Sequence, residues 1–225
     1  MDKEVDIKKL IGRAFDKTLE SQYPVAHHMV ESRHAKKQNE SPAEAIAYLK
    51  KLYRGSIGVS GFAAGAAAAV PNGAGQVTVA VSDICNFLES SVLYVFSVAT
   101  VYGMDLSSED LRRFLALIVL IGDSGSSTVT KALGGRTVHY WSKKVIEKIP
   151  MSSIQAVNKV LGPRFLTKYG TKQGIATLGK QLPFMIGAGV GAVSNEAFGE
   201  LSIKAIEKFL GPVPETWPDS DSSKD

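Results

Sequence analysis

The chain of 225 residues is 44% hydrophobic and 21% charged, an ordinary balance for a globular protein, and carries a formal charge of +4. Its single cysteine, Cys85, excludes an internal disulfide and suits a reducing compartment. The opening residues, MDKEVDIKKL, lack the apolar stretch of a signal peptide, so the expected location is the cytoplasm, or the inner face of its bounding membrane.

Val5, Leu10, Ile11, Phe15 and Leu19 recur at helical intervals and predict an amphipathic helix over residues 3–20. Tyr23–Pro24 is expected to interrupt it, and a polar helix is expected from Pro24 to Lys37. Residues 1–40 thus read as a helical arm. Ser41–Pro42–Ala43–Glu44 is a helix start: Ser41 caps, Pro42 suits the first helical position and Glu44 completes a capping box. The helix that follows is expected to bury Ala45, Ile46, Leu49 and Leu52, with Lys50, Lys51 and Arg54 outward.

No charged residue falls between Arg54 and Asp83. Within that run Gly58, Gly61 and Gly65 share one helical face, where close approach by a neighbouring helix offsets the ~1 kcal/mol that each glycine costs. Pro71–Asn72–Gly73 turns the chain. Val77–Tyr102 is a second apolar segment, roughly 39 Å long as a helix, with Gly103 as its stop. Ser107–Ser108–Glu109–Asp110 caps another helix carrying Leu111, Phe114, Leu115, Ile118, Leu120 and Ile121, which Gly122 ends.

Short helices are expected at Ser127–Leu133, Thr137–Ile149, Ser152–Leu161 and Pro163–Tyr169. A last apolar segment, Gln181–Asn195, holds Gly187, Gly189 and Gly191. It leads into an amphipathic helix whose face is set by Phe198, Leu201, Ala205 and Phe209, widened by Ile206 and Leu210, with Ile203 off it. Residues 212–225 read as an acidic, flexible tail. No strand pattern is present, so the expected fold is all-α, a compact multi-helix bundle built on glycine-rich helical hairpins, with 41–211 as its main domain.

Asp83 in a small-residue helix that closes on Tyr102–Gly103, together with Leu182–Pro183 and Gly187–Ala188–Gly189–Val190–Gly191–Ala192–Val193–Ser194–Asn195, resembles the bacterial EcsC family. The first part alone also resembles helical segments attached to some GTPases; the second favours EcsC. The resemblance covers roughly Leu49 to Leu210. It implies an α-helical protein without an agreed catalytic set, sometimes encoded beside transporter or secretion components. The matching positions are Asp83, Tyr102, Gly103, Gly187, Gly189, Gly191 and Asn195.

Three groups of residues are candidates for function. Asp83, Asn86 and Ser90 share a helical face with Glu89 on its flank, and with Tyr102 and Asn195 they form a candidate polar site. From Lys131 to Lys180 there are ten Lys or Arg and one acid, Glu147. Lys131, Arg136, Lys143, Lys144, Lys148, Arg164, Lys168 and Lys172 are expected to form a face for an anionic membrane surface or a membrane-bound protein. No nucleic-acid reader is recognisable, which disfavours that partner. His27, Glu31 and His34 offer a weak metal-ligand spacing without the form of a known zinc helix, so neither metal nor cofactor is expected. Gly122–Asp123–Ser124–Gly125–Ser126 lacks the strand context and partner residues of a hydrolase, and no phosphate-binding loop follows it. The sequence therefore favours a non-enzymatic protein that docks on a membrane through its basic face. Beside this stand a metal-dependent or Asp83-centred enzyme and a membrane-inserting, toxin-like protein.

Overall fold

The computed structural model describes residues 2–68, 73–122, 143–170 and 192–218. They form seven helices and no strand: α1 Asp2–Lys36, α2 Pro42–Ala68, α3 Gly73–Val101, α4 Glu109–Ile121, α5 Lys143–Ile146, α6 Met151–Gly170 and α7 Ala192–Leu210. The all-α bundle expected from the apolar periodicity is the fold. Helix α3 sits at its centre, with α1 and α2 packed along it; α7 lies on α2, and α4 packs against α6 and α7.

Hydrophobicity explains the two inner helices. Eleven of the fifteen residues of α3 from Phe87 to Val101 are buried, and so is every residue of α4 from Phe114 to Ile121. A helix that is apolar all round is stable in water only when others cover it. Ile84–Val101 is long and apolar enough to cross a membrane, with a mean hydropathy of 1.5, yet 61% of it is buried among the protein's own helices. The expected boundaries hold where capping chemistry sets them. Glu44 accepts from Ser41 N–H at 2.8 Å while Ser41 Oγ accepts from Glu44 N–H at 3.3 Å, and the Ser41 bonds hold the Glu44 carboxyl below its ordinary range. Ser108 caps α4 through Leu111 N–H, and Gly122, at φ +83°, ends it.

Two expected breaks are absent. α1 runs unbroken through Pro24, and α6 through Pro163. Both prolines face solvent, so water serves the carbonyl each leaves unbonded, and buried residues on either side hold the helix in line: Leu19 and Ala26 around the first, Leu161 and Phe165 around the second. The cost of an interior proline, ~3 kcal/mol, is offset by that burial. α1 therefore lies along α3 and α6 with Ile11, Phe15, Leu19 and Val30 buried.

Two expected faces are rotated. On α2, Leu52 is 43% exposed and Tyr53 takes the inward position at 3%. On α7, Leu201 is 48% exposed, and the buried stripe is Gly199, Ser202, Ile203, Ile206, Phe209 and Leu210. The two shifts share a cause. Gly199 faces α2 so closely that a side chain there would overlap Ile57 Cδ1, and turning Gly199 inward turns Leu201 out and Ile203 in. The glycines at 58, 61 and 65 lie within α2. The hairpin containing Gly187–Gly191 and the helix expected at Ser127–Leu133 fall outside the described residues, as do residues 137–142 of that expected at Thr137–Ile149, whose described helical part is Lys143–Ile146.

Candidate functional site

The basic surface is built on α5 and α6. Ile154, Val157, Leu161 and Phe165 point α6 inward, with Phe165 4.4 Å from the Phe15 ring. Asn158 fixes its rotation by donating to Asp110 O at 2.9 Å, and Gln155 adds a bond to the Asp110 carboxylate at 2.8 Å. That rotation leaves Lys159 and Arg164 exposed beside Ala156 and Val160. Lys144 and Lys148 are exposed on α5 and the turn after it, and half-buried Lys143 approaches Glu147 to 3.9 Å. Glu147 is the only acid from 143 to 170. Lys159 was not among the expected face residues; the inward spacing of Ile154, Val157 and Leu161 is the signal that places it outward.

Lys168 behaves differently from its neighbours. Its Nζ donates to Leu120 O at 2.7 Å and Ile121 O at 3.3 Å, closing the carbonyl end of α4, and Tyr169 Oη donates to Leu120 O at 2.9 Å. Burial lowers the Lys168 ammonium to about 8 and pushes the Tyr169 phenol up. Lys168 thus ties α6 to α4. Lys131, Arg136 and Lys172 lie outside the described residues.

The expected polar site does not gather around Tyr102. Asn86 and Glu89 are exposed at the middle of α3, and Tyr102 is buried just past its end, roughly 24 Å from Asn86 by helical rise. Tyr102 Oη donates to Gly211 O at 2.8 Å, and burial, with Glu207 nearby, pushes its phenol up to about 12. The side chains of Asp83 and Asn195 lie outside the described residues. His27 and Glu31 meet on the exposed side of α1 at 3.2 Å, whereas the His34 ring packs on Trp217 with centroids 4.1 Å apart. Among the described residues no three His, Cys, Asp or Glu side chains converge as metal ligands would.

The structure reveals a polar group that the spacing did not. Between α2, α3 and α7, Tyr53 Oη and Ser91 Oγ are hydrogen-bonded at 2.7 Å, with Ser202 as a further partner of Tyr53. The Tyr94 ring stacks on Tyr53, with centroids 4.6 Å apart, and its buried hydroxyl has no hydrogen-bond partner among the described residues. The ion pairs Arg54–Glu200 and Lys50–Glu207 stand at the rim. Burial raises Tyr53 to about 12 and pushes Tyr94 up as well, so both phenols are neutral near pH 7 and neither is poised as a base or nucleophile.

Residues 211–218 form a strap over the far end of α3. Trp217 Nε1 donates to Glu40 O at 2.6 Å, and Arg33 holds the Glu40 carboxylate through two nitrogens. Pro218 lies against Gly103, whose φ of +71° turns the chain out of α3.

Comparison of the chain with family models, with curated proteins and with solved structures finds no match.

Proposed function

We propose that this protein is an EcsC-like, non-enzymatic helical bundle that docks on an anionic membrane surface through α5 and α6. The supporting observation is the charge of that surface: Lys144, Lys148, Lys159 and Arg164 are exposed, and Glu147 is the only acid across residues 143–170. A cation close to an anionic leaflet gains about 1 kcal/mol, so four give about 4 kcal/mol, or roughly a thousand-fold preference over a neutral bilayer.

Co-sedimentation with vesicles tests the reading. The protein should pellet with phosphatidylserine-containing vesicles at about 0.1 M salt, stay in solution with pure phosphatidylcholine, and be released at about 1 M salt, where the screening length falls to about 3 Å. Lys144→Glu, Lys148→Glu and Lys159→Glu together should abolish pelleting. Equal recovery in the supernatant with both vesicle types would refute the proposal.

A further inference from the structure

The outward side of α6 carries an uncharged stripe between two cations. Val160 is 46% exposed, and Ala156, Pro163 and Thr167 are exposed with it. At about 100° per residue these side chains fall within roughly 60° of one another and span roughly 16 Å of helix. Lys159 and Arg164, both exposed, stand on opposite sides of the stripe, each about 40° beyond its edge. The direction of the stripe is fixed from behind. Asn158 bonds to Asp110 O, and Ile154, Val157, Leu161 and Phe165 are buried on the opposite side of α6. Pro163 sets a depth as well. It has no N–H to give the Lys159 carbonyl one turn back, so that carbonyl needs water or a polar head group. Hydrocarbon offers neither.

We infer that α6 lies along the membrane surface with Val160 inserted where head groups meet acyl chains, and with Lys159 and Arg164 on lipid phosphates to either side. The occupant is an anionic bilayer, because cations flanking an uncharged stripe match an interface that is anionic outside and apolar within. The inference rests on the membrane reading and adds a contact that charge alone does not make. Attraction across a water layer would not register an uncharged change at residue 160; insertion would.

Val160→Asn keeps every charge and makes that test. Binding to phosphatidylserine-containing vesicles should weaken about four-fold, since about half of the valine side chain is left to bury, with the salt dependence unchanged. Met151 is 45% exposed but lies about 180° round α6 from Val160, so Met151→Asn should bind as wild type does. Depth is read from an environment-sensitive fluorophore on Val160→Cys in a Cys85→Ser background. With the vesicles its emission should rise and shift to the blue, and spin-labels near the head of the acyl chain should quench it more than labels near the middle. The same fluorophore on Leu10→Cys, on the exposed side of α1, should not respond. Pelleting of the wild type, with tight binding by Val160→Asn and an unresponsive label at 160, would overturn the inference and leave the membrane reading standing. A loss of binding in Met151→Asn in place of Val160→Asn would overturn the orientation, and stronger quenching from the middle of the chain would overturn the depth. A wild-type protein that does not pellet would refute both readings.

Discussion

Replacing Gly199 by alanine tests the close approach of α7 to α2. The added methyl would overlap Ile57 Cδ1 and lie 3.4 Å from Ile57 Cγ1 and 3.7 Å from Tyr53 Cε1. Ile57 is fully buried, so its end can move only into occupied space. Overpacking of that kind costs about 1–3 kcal/mol, and alanine recovers about 1 kcal/mol of helix propensity. Gly199→Ala should therefore destabilise by about 1 kcal/mol. Ile57→Val alone removes one buried methyl and should cost about 1 kcal/mol. The double variant loses that methyl, gains the propensity and has no overlap, so it should be close to wild type. The cycle then contains about 2 kcal/mol of favourable coupling, worth about 6 °C in Tm for a chain of this size. Urea denaturation of the four proteins measures it. Additivity within about 0.3 kcal/mol would show that Gly199 and Ile57 do not compete for one space, and the packing argument would fail.

The two stacked tyrosines should respond in opposite ways. Tyr53→Phe leaves Ser91 Oγ without its 2.7 Å partner and should cost about 1–3 kcal/mol in urea unfolding, whereas Tyr94→Phe removes a hydroxyl that has no partner among the described residues and should be neutral or stabilising. Stability should fall as pH rises from 10 towards 12. Tyr53 and Tyr102 keep their protons to about 12 in the folded state but lose them near 10 when unfolded, so over that window the unfolded chain binds fewer protons; Tm against pH reads it, and Tyr53→Phe should flatten the fall. Lys168→Met should destabilise by about 1–2 kcal/mol, because the Leu120 and Ile121 carbonyls lose a buried donor, while vesicle binding should change little. Gly103→Ala forces a side chain into positive φ and against Pro218; it should loosen the strap, seen as a change in Trp217 fluorescence, at a cost of about 1–3 kcal/mol.

Much of the candidate site could be read from the chain, but not its grouping. The excess of cations from Lys131 to Lys180 is visible as composition, because charge needs no partner to be counted. Which cations face outward depends on how α6 is rotated, and Asn158 on Asp110 sets that rotation through a contact 48 residues away in sequence. Lys168 and Lys159 exchange roles for this reason, one drawn to the carbonyl end of α4 and the other left in solvent. Asn86, put beside Asp83 by helical spacing, and Tyr102, put beside it by the family resemblance, looked like parts of one polar site; about 24 Å of helical rise separates them.

Local chemistry determined the helical class, the caps at Ser41 and Ser108 and the stops at Gly103 and Gly122, since each depends on residues within about one helical turn. Tertiary packing decided the rest. Whether Pro24 breaks α1 depends on burial to either side of it, and whether Leu52 or Tyr53 faces inward depends on α7 bringing Gly199 to Ile57. A helical period fixes the angle between side chains on one helix, but only the neighbouring helix fixes the direction in which that pattern points.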